Sequence, residues 1–394
     1  MIPALRSAYN GQFTIEKYKT FLRELDSAVG MKIDFRVCET PVFLPNNLLQ
    51  EMQNTATEII KQLNTPTYFK ESASAVPERY HVPNEAAHPL FLAIDFGITR
   101  DDRGKLTPKL IELQGFPSLY GFQIVLAQTF QRLFDLQQLN FLLSGLSLDH
   151  YIAILKQALL GNLDPENVIL MEIQPETQKT APDFYCTEKF TEVKAVCITS
   201  LKKRGRKLYY RKNGKEIPVH RIYNRVIVDE FVKKNIAIDF DFRDELDVEW
   251  AGHPNWYFRI SKFSIPLLQH PNVPRAFFLN ELKSYPDDLQ NFVLKPLFSF
   301  AGSGVKVEIT AADLEAIPEA ERANYLLQEK IDYTPVIETP NEGSKVEVRM
   351  MFIWQDEPLA VTTLARLSKG KMMGVDYNKN KDWVGASCCL FEKF

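Results

Sequence analysis

The chain has 394 residues, 45% of them hydrophobic, and carries 47 basic against 50 acidic side chains for a net charge of −3. That length buries a substantial core and divides into two or three domains. The near-balanced charge, without an acidic or basic tail, argues against a nucleic-acid partner. No apolar run reaches membrane-spanning length, and Met1 to Arg6 lacks a signal-peptide pattern. Five scattered cysteines make no disulfide framework, and six histidines show no zinc spacing. A cytoplasmic protein with no membrane partner is expected.

Residues 1–80 read as helical. Thr14 caps a helix with Ile15, Tyr18, Phe21, Leu22, Leu25 and Val29 on one face and Gly30 as its stop. A second helix begins after Pro45, with Leu48, Leu49, Met52, Ala56, Ile59, Ile60 and Leu63 aligned. Residues 90–96 and 108–114 read as two strands around an Asp101-Asp102-Arg103-Gly104 turn, and a helix is expected from about Leu119 to Asn140. Ser147 caps a further helix, and the apolar runs 168–173 and 195–199 suggest a parallel α/β unit over 147–250. Asn213-Gly214 marks a hairpin. The basic run Lys202 to Lys207 reads as a solvated hairpin rim. Residues 255–290 read as helical. The remainder is mostly strand, with a helix near Ala311, a strand over 325–330, strict alternation from Val346 to Trp354, and a strand from Leu359 to Leu367.

Chemistry gathers around Lys295-Pro296-Leu297-Phe298-Ser299-Phe300-Ala301-Gly302-Ser303-Gly304-Val305. Glycine lets backbone amides approach a phosphate closely, and a neighbouring lysine adds a point charge. No glycine here is succeeded by Lys-Ser or Lys-Thr, so this is not a Walker A loop. A Gly-x-Gly hairpin alone is equally an ordinary tight turn. Downstream of the hairpin come an apolar strand ending Gln328-Glu329-Lys330-Ile331, then a strand with Glu347-Val348-Arg349, then one with Ala365-Arg366.

This order resembles the ATP-grasp superfamily. The resemblance implies phosphate binding by Lys295 and by a hairpin of Gly302, Ser303 and Gly304. It implies an adenine and ribose hinge at Gln328, Glu329, Lys330 and Ile331, and catalytic arginines at Arg349 and Arg366. Lys262 resembles the earlier nucleotide lysine of many members, and a solvated helix lysine is its other reading. The chain ends 28 residues past Arg366, leaving no room for the usual metal-binding strands there. Asp95, Glu112 and Gln114 resemble those metal ligands at the opposite end, as in permuted ATP-grasp proteins and the glutathionylspermidine synthetase group. The family's asparagine is Gln114 here. Asn378 and Asn380 resemble a phosphate- or substrate-contacting loop. Arg225, in Ile222-Tyr223-Asn224-Arg225, resembles a substrate-carboxylate arginine of glutathione synthetases; a structural ion pair with Asp229 or Glu230 is its other reading.

The expected architecture is therefore an α+β, α/β chain with a circularly permuted ATP-grasp fold. Residues 1–145 form a helical region plus the metal-binding half, 146–260 a small α/β pre-ATP-grasp-like substrate domain, and 261–394 the nucleotide-binding half. The resemblance implies ATP and Mg²⁺ as cofactors and an ADP-forming ligase joining a small-molecule or peptide carboxylate to an amine, or to a thiol, through an acylphosphate. The alternatives are a non-catalytic nucleotide-binding relative and a small-molecule kinase.

Overall fold

The protein is described by a computed structural model covering residues 1–394 apart from 299–302, 374–377, 379 and 394, and apart from the side chain of Asp229. Twelve strands matter to the site. In chain order they are β1 (Phe91–Arg100), β2 (Leu106–Gln114), β3 (Val168–Glu172), β4 (Lys194–Cys197), β5 (Arg221–Asn224), β6 (Glu249–Ala251), β7 (Ala276–Phe278), β8 (Phe292–Pro296), β9 (Tyr325–Glu329), β10 (Lys345–Trp354), β11 (Pro358–Ser368) and β12 (Gly385–Ser387). The central sheet is antiparallel with order β12-β11-β10-β1-β2. It joins strands from distant parts of the chain.

Strand alternation gives the central sheet two different faces. Leu92, Ile94 and Phe96 of β1, with Val346, Val348 and Met350 of β10, pack against the Asn46–Leu63 helix. The opposite face is apolar at one end, where Phe91, Met351 and Ile353 meet the Ile15–Val29 and Tyr120–Leu133 helices. At its other end the same face carries Asp95, Glu347 and Arg349, opposed in register as Arg349 with Asp95 and Glu347 with Arg366.

A smaller antiparallel sheet, β7-β9-β8, has its own core of Leu279, Phe292, Leu294, Ile309, Leu314 and Leu327. The third unit is parallel, in order β6-β5-β3-β4, as its apolar strands suggested. Local signals behave as chemistry dictates. Thr14 accepts the Lys17 amide, Gly30 ends that helix at φ 91°, and Ser147 accepts the His150 amide. Asn213 and Gly214 both take positive φ in a hairpin turn. The basic run lies on the preceding hairpin of the same sheet, turning at Gly205, where Lys203 pairs with Asp244 and Arg206 with Asp247.

Two expectations are corrected. The helix expected over 119–140 ends at Leu133, and Asp135 turns the chain at φ 55°. Residues 255–290 hold only the four-residue Trp256–Arg259 helix, short 3₁₀ turns and strand β7. Pro266, Pro271 and Pro274 remove backbone donors there and interrupt a helical reading.

Candidate active site between two sheets

The charged end of the central sheet is one connected network. The Arg349 guanidinium donates Nε to Asp95 Oδ1 at 2.6 Å and Nη2 to Oδ2 at 2.7 Å, a bidentate pair. Arg366 donates Nη2 to the same Oδ2 at 2.6 Å and lies 3.2 Å from Glu347 Oε2. Tyr333 donates its hydroxyl to Glu347 Oε1. Gly97 makes that bond possible. A Cβ there would sit 2.7 Å from the Tyr333 ring, so only glycine lets the segment after β9 lie this close to β1.

Burial and charge compete across this face. Burial pushes the Asp95 carboxyl up, but the Arg349 and Arg366 guanidiniums outweigh it and hold it below its ordinary value. Glu347 goes the other way: desolvation dominates and raises it, with Arg366 opposing. Arg366 is held protonated, since Glu347 and Asp95 outweigh its own desolvation. Its Nε is buried without a hydrogen-bond partner, while its side chain as a whole is 38% exposed.

The small sheet brings its own cation. Alternation places Lys295 and Gln328 on the face toward β2, where Lys295 Nζ donates to the Ile111 carbonyl at 3.3 Å and Gln328 Nε2 to the same oxygen at 3.4 Å. Gln328 Oε1 is buried without a partner. Among the described residues no carboxylate lies within ion-pair distance of Lys295. Desolvation lowers its ammonium to about 8, only partly offset by Glu112. Lys262 stands nearby, 3.8 Å from Glu112 Oε2. A narrow cleft runs between the sheets, lined by Glu112, Gln114, Phe116, Tyr257, Lys262 and Phe298.

The rest of the hinge and hairpin divides. Glu329 is on the other face of β9, tied to Arg275 at 3.0 Å. Lys330 bonds outward to the Gln290 carbonyl, and Ile331 accepts the Tyr333 amide. Gly304 takes φ 75°, and a Cβ there would meet the Pro296 ring at 2.8 Å, so Gly304 itself lies against the end of β8. Ser303 is exposed beside it, and Gly302 lies outside the described residues.

The three residues expected to hold magnesium are adjacent but not shaped as a metal site. Asp95 is 1% exposed and already accepts three guanidinium bonds. Glu112 Oε1 accepts the Gln114 amide nitrogen at 2.8 Å and lies 3.8 Å from Arg349 Nη2. Among the described residues no group of three or more His, Cys, Asp or Glu side chains is arranged to hold a metal ion. A divalent ion on Asp95 would sit beside two guanidiniums, each repelling it by on the order of 8 kcal/mol at about 4 Å and an effective dielectric of roughly 20. The donor set as built does not fit a metal.

Arg225 is a buried structural cation. Its Nη1 donates to Asp183 Oδ2 at 2.9 Å and to the Ser118 carbonyl at 2.9 Å. Asp183 in turn accepts the Gly121 and Phe122 amides at the start of the Tyr120–Leu133 helix. Ser118 Oγ accepts Arg349 Nη1 at 2.9 Å, linking the parallel unit to the charged face. Asn378 closes its own turn, accepting from Ser368, Lys369 and Gly370. Asn380 is an exposed left-handed turn residue.

Glu172, Ser118, Asp183 and Tyr333 carry no signal that singles them out in the sequence. Glu172 ends β3 where the connections leaving β3 and β5 diverge, the usual ligand crevice of a parallel sheet. Desolvation raises its carboxyl to about 8. One acid at the end of an apolar run is its only visible mark.

No protein-family model matches the sequence, and no curated protein matches it. Among solved structures, the chain is similar to a glutathione synthetase-like effector from Globodera pallida in its apo form. The TM-score is 0.59 at 14% identity, over 90% of this chain and 93% of that one. At that identity the likeness concerns the fold alone, a mixed α/β arrangement of several sheets shared with the glutathione synthetase-like effector. No helix among the described residues is long and apolar enough to cross a membrane.

Proposed function

We propose that this chain binds ATP between its two antiparallel sheets and is an ATP-dependent ligase, joining a carboxylate to an amine or thiol. The observation that carries this reading is Lys295. An ammonium held between two sheets with, among the described residues, only the Ile111 carbonyl for a partner is costly, and it gains its missing counter-charge when a phosphate enters. The glutathione synthetase-like fold supports the same reading. So does the order of the sheet, in which β1 and β2 complete a surface built by β10 and β11, as a permuted arrangement requires.

In this reading Lys295 and Lys262 hold the phosphates, and the hairpin around Ser303 and Gly304 covers them. Gln328, with its unpartnered Oε1, meets the base. Arg366 faces the transferred phosphoryl group with the donors that Asp95 and Glu347 leave unused. The substrate carboxylate attacks the γ-phosphorus, the bond to the β-phosphate oxygen breaks, and ADP leaves. The amine or thiol then attacks the acyl carbon and expels phosphate. Positioning and charge neutralisation supply the catalysis. The carboxylate partner is placed at the carboxyl ends of β3 and β5, beside Glu172.

The test is ADP release from ATP over pooled carboxylates with amines or thiols, with Lys295→Met as the control. ADP formation by wild type, lost in the variant, is expected. Absence of ATP binding by calorimetry would sink the reading. ATP binding with no ADP release from any pool would favour the non-catalytic alternative, to which the full engagement of Asp95 lends weight.

A further inference from the structure

We infer, resting on the nucleotide-binding reading, that the chain binds its nucleotide without a divalent cation, its own guanidinium and ammonium groups supplying the positive charge a metal would bring. Oxygen bookkeeping is the first ground. Asp95 Oδ2 accepts Arg349 Nη2 at 2.7 Å and Arg366 Nη2 at 2.6 Å, which uses both its lone pairs, and Oδ1 accepts Arg349 Nε at 2.6 Å. Glu112 is flanked as well, by Arg349 and Lys262 each at 3.8 Å. Gln114 turns its amide nitrogen, not its oxygen, to that carboxylate. A shared ion would require two oxygens facing one point.

Charge is the second ground. Three carboxylates, Asp95, Glu112 and Glu347, stand among four cations, Lys262, Lys295, Arg349 and Arg366. Magnesium at a polyphosphate is held by one or two carboxylates together with the phosphates, and here each of the three carboxylates already faces a guanidinium or an ammonium. Among the described residues the balance is already positive, by four against three. The arginines also sit in the position of a cation: Arg366 bridges Asp95 of β1 and Glu347 of β10, and Arg349 reaches Asp95 of β1 and Glu112 of β2, as a bound ion would.

The experiment titrates ATP into the full chain by calorimetry, once in excess magnesium and once in excess EDTA. Dissociation constants agreeing within about threefold are expected. Binding in magnesium that weakens more than about tenfold in EDTA overturns the inference and leaves the nucleotide reading standing. Binding in neither overturns both. Arg366→Met, at a partly exposed side chain, is the second arm. With one guanidinium removed from Asp95, affinity in EDTA falls about tenfold and magnesium restores part of it. A variant that binds as wild type does in both buffers shows that the guanidinium does not stand for the cation, and overturns the inference.

Discussion

Lys295 is a cation that the folded chain accommodates at a cost, and replacing it separates stability from function. Its ammonium drops from an ordinary 10.5 to about 8, with desolvation as the main cause. In the unfolded chain the proton stays on up to 10.5, and in the folded chain only up to about 8. Between those values the unfolded state binds more protons, so stability rises with pH across that window. Below it both states are protonated and the full cost is present. The shift corresponds to roughly 3 kcal/mol. Lys295→Met keeps the length of the stem and drops the charge. It forfeits the bond to the Ile111 carbonyl, which leaves a net stabilisation of about 2 kcal/mol at neutral pH.

Urea denaturation of wild type and variant at neutral pH measures this directly. The variant is expected to unfold at higher denaturant and to lose the rise in stability between about pH 8 and 10. The same substitution removes ATP binding, because the phosphate loses its enclosed counter-charge. In wild type, phosphate entry re-protonates Lys295, so ATP binding near pH 8 takes up about half a proton, measurable in two buffers of different ionisation enthalpy. A Lys295→Met protein that is less stable than wild type, or that binds ATP equally well, would refute the argument that this lysine is held for an anion.

Other buried groups give three further expected outcomes. Glu172, raised from 4.5 to about 8, keeps its proton longer in the folded state. Stability therefore falls as pH rises from 4.5 to about 8, by up to about 5 kcal/mol, and Glu172→Gln flattens that dependence in urea titrations at several pH values. Gly97→Ala drives a methyl into the Tyr333 ring and breaks the bond to Glu347, so it is expected to cost about 1–3 kcal/mol in urea denaturation; unchanged stability would remove glycine's role there. Gln123 is 1% exposed, with both side-chain polar atoms unpartnered. Gln123→Leu is expected to stabilise by about 1–2 kcal/mol in the same denaturation assay, and a loss would reveal a partner for the amide.

Elements with a local chemical cause were legible. Thr14, Gly30, Ser147 and Asn213-Gly214 each act through backbone groups within a few residues, and each acts where the sequence places it. The alternation from Val346 to Trp354 correctly put Glu347 and Arg349 on one face. The failures came where context overrides pattern. Three prolines broke the apolar run expected to be helical over 255–290. The helix from Tyr120 lost its last turns to a non-glycine left-handed residue, Asp135, which carries no strong stop signal. Tyr333 and Ser118 act through bonds to Glu347 and to Arg349, and neither loop residue has a periodicity to reveal it.

The metal ligands show why composition at a site is weaker evidence than register. An acid at the end of one strand, a Glu-x-Gln on the next and two arginines downstream are the residue types of a metal-and-phosphate site. They are equally those of an ion-pair network. Which one forms depends on who stands opposite whom, and that is set by the pairing of β1 with β10, strands some 250 residues apart. In the observed register Arg349 faces Asp95 of β1, and Glu347 faces Arg366 of β11. A shift of one residue would send Arg349 to the opposite, apolar face and leave Asp95 without its bidentate partner. The apolar residues Val346, Val348 and Met350 on that opposite face therefore fix the charged chemistry indirectly: they hold the register against the Asn46–Leu63 helix. The carboxylate that the sequence offers to a metal is given to arginine by hydrophobic packing on the other side of the sheet.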